Sequence, residues 1–241
     1  MKYFIKRKNK TVFITDMWRL AFSIVLTFAV SSVYAKKHDE VTDSIDKSFT
    51  AREVFIKLHS PALEILPVDT RLDMLDYWDV DSIYKATNAM DGLSWLVNLK
   101  DDYLKVQISK VSTLELKILP YKEHKLVLSI YTVGSEPQAS DSQIDFLDEN
   151  LIAIERDKVI EYPQLKDFFE IPKGSLTSMK EIRDMIPFPT MAFSANPDNN
   201  NLKAILTVEE FINQDDWNII KLFLKPEITF DWKKDKYRLV K

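Results

Sequence analysis

Three consecutive stretches of the chain alternate apolar and polar residues with a period of two. They are YLKVQIS at 103–109, STLELKIL at 112–119 and KLVLSIYTV at 125–133. Successive side chains of a β-strand point to opposite faces, so each stretch has one apolar face to bury. Only a few polar residues separate the stretches, a length that suits adjacent antiparallel strands. The pattern therefore predicts an antiparallel meander around residues 94–146.

The same alternation predicts which side chains share a face of the sheet. The residues expected to point into one core are Leu104, Val106, Leu116 and Leu128. The residues expected on the opposite, solvated face are Lys105, Gln107 and Glu115. The third stretch is less regular because Val127 and Tyr131 are also large, so its second face is expected to be covered by a helix or a partner.

Helix signals occur on both sides of the predicted meander. Thr50 and Glu53 have the spacing of a capping box at a helix start. A second helix is predicted from about Thr70 to Trp78, with a buried stripe at Leu72, Leu75 and Trp78. Further helices are predicted near residues 163–169, 178–186 and 216–224, strands near 189–195 and 202–208, and a closing hairpin around the turn KKD.

These elements together predict an α+β fold in which helices pack on an antiparallel sheet and the chain ends in a β-hairpin. The globular domain is expected to span residues 49–241. Sub-lobes at 49–155 and 156–241 are the alternative organisation.

The N-terminal segment has the pattern of a secretion signal. Six basic residues precede an uncharged stretch, LAFSIVLTFAVSSVYA, whose apolar part is eleven residues long. A membrane-spanning helix needs about 20 apolar residues, whereas a signal needs fewer. Small or apolar residues at Val33 and Ala35 predict cleavage between Ala35 and Lys36. An uncleaved anchor is the alternative interpretation, and translation from Met17 would also give a compact signal.

Residues 1–35 are therefore interpreted as a signal peptide and residues 36–48 as a flexible linker. The localisation expected from this pattern is export, to the periplasm of a Gram-negative bacterium or out of the cell. No transmembrane span is expected after removal of the signal. No lipid anchor is expected either, because the chain has no cysteine.

Composition excludes several classes of function. Without cysteine there are no disulfides, thiol nucleophiles or thiolate metal sites. The 206 residues from Lys36 onward contain 27 Lys and Arg against 36 Asp and Glu, a net charge of −9. Such a chain is not expected to bind nucleic acid, because that binding depends on basic residues that neutralise phosphates.

Several stretches resemble a family of exported proteins of unknown function from Bacteroidales. They are RLDMLDYWD at 71–79, LKDDYLKVQIS at 99–109, STLELKILP at 112–120, YTVGSEPQASDSQIDF at 131–146 and the closing EITFDWKKDKY. The resemblance implies a periplasmic or envelope location and an α+β domain. It implies no activity, so no functional residue is carried over from it.

Motifs for catalysis, cofactor binding or metal binding are not found in the sequence. The three glycines, Gly92, Gly134 and Gly174, stand singly, whereas a phosphate-binding loop needs several together. The three histidines, His38, His59 and His124, do not have metal-ligand spacing. No catalytic, cofactor-binding or metal-binding residue is therefore assigned, and no cofactor is expected.

A non-enzymatic binding or assembly module of the cell envelope is the function favoured by the sequence. Its expected partner is another envelope protein or a glycan, and an exposed aromatic surface could include Trp95, Tyr121, Tyr131 and Trp232. The alternative is a hydrolase acting on glycan or peptide through two carboxylates. Its candidate acids are Asp73, Asp76, Asp79, Asp81, Asp101, Asp102 and Asp141.

Overall fold

The structure is a computed structural model that describes residues 49–80, 84–135 and 139–240. From Phe49 onward these residues belong to one compact unit. The expected signal peptide, its cleavage site at Ala35 and Lys36, and the linker at 36–48 lie outside the described residues. Within the described ranges, no helix combines the length and the apolar character that crossing a membrane requires.

Two helices open the described chain. Helix α1 spans Ala51–Lys57 and helix α2 spans Val68–Asp79, with a 3-10 turn at Pro61–Leu63 between them. The hydroxyl of Thr50 accepts a hydrogen bond from the backbone N–H of Glu53 at 3.3 Å, so α1 begins where its cap predicted. Its residues Val54 and Phe55 are buried.

The buried face of α2 differs from the predicted stripe. Leu72 is 39% exposed, whereas Arg71, Met74 and Leu75 are buried. The prediction is confirmed at Leu75 and at the half-buried Trp78 and is wrong at Leu72, because it considered only large apolar residues for the stripe. The spacing that packs is 71, 74, 75 and 78, and it includes a charged residue.

The central sheet has seven strands in sequence order, and every neighbouring pair is antiparallel. The strands are β1 Ala86–Thr87, β2 Leu93–Lys100, β3 Tyr103–Ser109, β4 Ser112–Tyr121, β5 His124–Ser135, β6 Ala139–Leu147 and β7 Ala153–Ile154. The predicted meander and the α+β class are confirmed.

A second sheet has four strands in the order β11-β10-β9-β8. They are β8 Met191–Ala195, β9 Leu202–Leu206, β10 Ile228–Lys233 and β11 Lys236–Leu239. β10 and β11 form the predicted C-terminal hairpin. Lys234 and Asp235, at its tip, both have positive φ (50° and 59°), as a two-residue hairpin turn requires.

The remaining helices are short. In the chain, two of them precede β8 and the third lies between β9 and β10. They are α3 Arg156–Val159, α4 Met179–Met185 and α5 Gln214–Ile220, with 3-10 turns at Leu165–Phe168 and Glu209–Phe211. Ser178 and Glu181 form a capping box at the start of α4. The cap of α5 is Asn213, whose side chain accepts from the N–H of Asp216 at 3.0 Å.

Each face of the seven-stranded sheet has its own apolar core. On one face, Leu104, Val106 and Leu116 pack with residues of α1 and α2. On the other face, Leu128 and Ile130 pack with residues of the second sheet. The prediction that Leu128 shares the core of Leu116 was wrong. In the observed register Leu116 pairs with Ser129 and Lys117 with Leu128, which places Leu128 on the opposite face.

The face expected to be solvated is largely covered. Lys105 and Gln107 are partly buried on it, and Glu115 is only 4% exposed. The prediction of a solvated Glu115 was therefore wrong. Alternation within one strand shows that a residue faces away from the first core, but it carries no information about a second sheet packed on that side.

Polar side chains of the large sheet cover the free edge of β8. The backbone N–H of Met191 donates to Asp141 Oδ1 at 3.1 Å, and that of Phe193 donates to Ser142 Oγ at 3.0 Å. The N–H of Ala195 donates to Glu115 Oε2 at 3.0 Å. An uncovered strand edge is a site for unwanted pairing, so these three bonds both dock the second sheet and protect its edge.

Replacing Ser142 with Ala is expected to lower the free energy of unfolding by about 1–3 kcal/mol. The change removes the acceptor of the Phe193 N–H and the hydroxyl that lies 2.7 Å from Thr132 Oγ1. Urea unfolding would measure the loss. The matched control is Ser194 to Ala, at an exposed position of β8, which should change little. Equal losses from the two variants would contradict the docking role of Ser142.

Candidate functional site

Arg71 is a buried cation at the corner between α1 and α2. Its side chain is on the inner face of α2, and the residue is 4% exposed. The guanidinium Nη1 donates to the carbonyl oxygens of Phe55 at 2.5 Å and Leu58 at 3.1 Å. These carbonyls lie at the end of α1, where the helix supplies no N–H partners, so Arg71 caps α1.

The charge of Arg71 has no ionic partner in the described part of the chain. No carboxylate there forms an ion pair with it, and its Nε has no hydrogen-bond acceptor. Burial lowers the pKa of Arg71 from its ordinary value, because removal from water disfavours the charged form. A buried polar group without a partner is costly, so this arrangement favours an anion supplied from outside.

A cavity of about 460 Å³ opens beside Arg71. Its apolar walls include Leu58, Leu63, Leu66, Pro67 and Val68. His59, Ser60 and Glu64 add polar groups to the lining. Apolar walls with a few polar groups, at a volume of a few hundred Å³, are typical of small-molecule sites. The cavity and Arg71 together form the Arg71 pocket, the candidate site of this protein.

Sequence reasoning did not find this site. Arg71 lies in RLDMLDYWD, one of the stretches that resemble the family, but the predicted apolar stripe of the helix begins at Leu72. The signal that could have found it is the spacing of Arg71 to Met74 and Leu75, which places a cation on the apolar face of an amphipathic helix.

The acids considered for catalysis do not come together as a pair across this pocket. Asp79 forms an ion pair with Arg52, and Asp73 and Asp76 are exposed on α2. Asp81 lies outside the described residues. The cavity lining that the structure gives contains one acid, Glu64.

Two of the remaining predicted acids, Asp102 and Asp141, are held by structural bonds. Asp102 pairs with the buried Lys117 at 2.7 Å, and Asp141 accepts the Met191 N–H. In residues 49–80, 84–135 and 139–240, no group of three or more His, Asp or Glu side chains could hold a metal ion.

A second depression, of about 710 Å³, lies at the start of the described chain. Its lining contains the acids Asp101, Asp102, Glu123 and Glu149. Glu149 accepts the backbone N–H of Lys125 at 2.8 Å, and Asp102 holds Lys117, so two of these acids have structural roles. His124 also lines it, exposed, with Nδ1 3.4 Å from Glu149.

The four aromatic residues proposed as a contact surface are all half-buried. Tyr131 packs against the core between the seven-stranded sheet and helices α1 and α2. Tyr121 and Trp232 pack against the core between the two sheets. Trp232 Nε1 donates to the carbonyl of Pro120 at 3.0 Å, and Lys85 lies over the ring of Trp95. They serve packing, and the structure does not unite them in one exposed patch.

Comparison with protein families identifies the group to which the chain belongs. A family model described as "Protein of unknown function (DUF3256)" matches residues 45–237. The chain is a member of the DUF3256 family. This confirms the resemblance to a family of unknown function, whereas export stays a prediction.

One solved structure similar to this DUF3256 chain is a domain of an uncharacterized protein from Porphyromonas gingivalis W83. The two share 19% sequence identity and superpose with a TM-score of 0.66 over 80% of this chain and 99% of that domain. At this identity the likeness shows a common fold. No curated protein matches the chain.

Proposed function

We propose that this protein is an exported, non-enzymatic binding module of the bacterial cell envelope, and that it holds a small ligand in the Arg71 pocket. The observation that carries the proposal is a cavity of about 460 Å³, with apolar and polar walls, beside a buried guanidinium that has no ionic partner among the residues that the structure describes. A group arranged in this way costs stability in the free protein and gains a partner when an anion binds.

Export is supported by the sequence at the N-terminus. The basic leader, the short apolar stretch and the small residue Ala35 before Lys36 match a cleavable signal. The absence of cysteine from the whole chain fits a protein that needs no disulfide or lipid attachment outside the cytoplasm. An envelope protein or a glycan remains the proposed larger partner, and the pocket adds a small-ligand site to it.

Native mass spectrometry of the protein purified from its own host's envelope fraction tests both parts of the proposal. The expected mass corresponds to a chain that begins at Lys36 or within a few residues of it, with an additional small molecule bound. Intact chains containing residues 1–35 in the cytoplasm would exclude export, and a mass without bound ligand would contradict the binding function.

A blocked pocket provides the control for the ligand. Val68 lines the cavity and is 39% exposed, so Val68 to Trp is expected to fill it and to remove the bound molecule. Val97 is 45% exposed on β2 and does not line the cavity, so Val97 to Trp should retain the ligand. Retention of the ligand by Val68 to Trp would place it elsewhere on the protein.

A carboxylate-dependent hydrolase is the second candidate function. It is favoured by the acids that line the 710 Å³ depression. The carboxylates of two of them, Asp101 and Glu123, accept no hydrogen bond from the described residues, unlike those of Asp102 and Glu149. Glycan or peptide cleavage by the purified protein, abolished by Asp101 to Asn or Glu123 to Gln, would replace the binding proposal. The binding proposal predicts no such turnover.

A further inference from the structure

One edge of the Arg71 guanidinium carries a buried N–H without a hydrogen-bond partner in the described part of the chain. Nη1 is already bonded to the carbonyls of Phe55 and Leu58, whereas Nε has no acceptor among the residues that the structure describes. The Nε and Nη2 edge of an arginine carries two parallel N–H bonds, and their spacing matches the two oxygens of a carboxylate. The occupied Nη1 thus leaves the edge that is best suited to a planar anion.

The residues around this edge favour a ligand with a single negative charge and an apolar body. One guanidinium offsets one negative charge, and Glu64 in the lining disfavours further negative charge. The other walls include the apolar residues Leu63, Leu66 and Val68, together with His59 and Ser60. A multiply charged phosphate would lose its hydration to these walls without compensation, whereas an apolar group would gain from burial.

We propose that the Arg71 pocket binds a small organic acid, with its single carboxylate on the guanidinium of Arg71 and its apolar body against Leu63, Leu66 and Val68. The inference rests on the proposed binding function and names the chemical class of its ligand. The carboxylate draws the Nε edge toward the cavity while Nη1 continues to cap α1, so the ligand is coupled to the corner between α1 and α2.

Calorimetric titration of the purified protein with three matched probes tests this assignment. The probes are octanoate, 1-octanol with the same body and no charge, and inorganic phosphate with charge and no apolar body. A charge-assisted hydrogen bond exceeds a neutral one, so octanoate is expected to bind about tenfold or more tightly than octanol. Phosphate is expected to bind more weakly than octanoate.

Substitutions in the lining assign the binding to this pocket. Arg71 to Met is expected to reduce octanoate affinity to that of octanol. Glu64 to Gln removes the like charge and is expected to tighten octanoate binding about two- to fivefold, the range of exposed charge pairs. Glu161 is exposed and does not line the cavity, so Glu161 to Gln is the matched control and should have no effect.

The outcomes separate this inference from the binding function itself. Equal affinities for octanoate and octanol, both abolished by Val68 to Trp, would overturn the carboxylate assignment and leave a binding pocket. Unchanged octanoate affinity in Glu64 to Gln and Val68 to Trp would also overturn it. These two variants provide the test in the case that Arg71 to Met does not fold. A ligand seen by native mass spectrometry without octanoate binding would again overturn only the ligand class.

Discussion

Replacing Gly134 with alanine is expected to lower the free energy of unfolding by about 3–5 kcal/mol. Gly134 lies in β5 with φ of +118°, a region that side chains rarely adopt. A Cβ built there would lie 2.0 Å from the carbonyl oxygen of Ala139 and 2.7 Å from the Cα of Ser140. These are backbone atoms of the paired strand β6, so relief requires the ladder itself to move. Urea unfolding followed by circular dichroism measures the loss.

Gly174 supplies the control that separates backbone strain from steric contact. It also has positive φ, at +87°, but an added Cβ would meet nothing within 4 Å. Gly174 to Ala should therefore cost only the conformational part, about 1–2 kcal/mol. If the two glycine variants lost the same amount, the close approach of β5 and β6 at Gly134 would be contradicted.

Glu115 to Ala is expected to destabilise the protein by about 2–4 kcal/mol, although alternation alone assigns this residue to a solvated face. Its carboxylate accepts from the Tyr103 hydroxyl at 3.1 Å and the Ala195 N–H at 3.0 Å, and it lies 2.9 Å from Lys105 Nζ. Removing the carboxylate leaves all three groups without this acceptor at the contact between the two sheets. The loss of free energy is smaller than it would be for three fully buried groups, because the Lys105 side chain is partly exposed and can be hydrated.

Leu116 to Ala gives the comparison on the other face of the same strand. Leu116 is fully buried against the helices, so its truncation is expected to cost about 2–5 kcal/mol. Similar losses at positions 115 and 116 would show that both faces of β4 are buried, one by apolar packing and one by a polar network. The exposed Glu161 to Ala is the control and should cost under about 0.5 kcal/mol. A Glu115 to Ala variant as mild as that control would contradict the burial of the network.

Two buried tyrosines, Tyr103 and Tyr237, have a raised pKa. Burial, the charge of Glu115 and the hydrogen bond to it all raise the pKa of Tyr103. The network therefore keeps Tyr103 in its neutral, donating form. Tyr237, in the core of the second sheet, also has its pKa raised by burial.

Local signals in the sequence were sufficient for most elements. The capping pairs at Thr50 and Ser178 and the apolar alternation of β3 to β5 depend on residues that are close in the chain. The two-residue turn at Lys234 and Asp235 is likewise a local choice of backbone conformation. These interactions form within single elements or neighbouring ones, which is why the α+β class and the meander could be predicted.

The register between strands was only partly predictable. Leu104, Val106 and Leu116 were placed correctly on one face, whereas Leu128 was not. The assignment of a residue to a face across a hairpin depends on the number of residues in the turn, and a shift of one reverses every side chain. The second strand, β5, is apolar on both faces, so its own pattern could not correct the error.

Most of the secondary structure, the antiparallel order of the first sheet, the lack of cysteine chemistry and the pattern that predicts export follow from the sequence alone. The tertiary structure decided that Glu115 is buried, that the edge of β8 is covered by Asp141, Ser142 and Glu115, and that Arg71 lies beside a cavity. Each of these depends on contacts between residues 16 or more positions apart or on space enclosed by several elements. The physical reason is that a residue's own neighbours in sequence fix its direction, whereas burial and charge compensation depend on what packs against it.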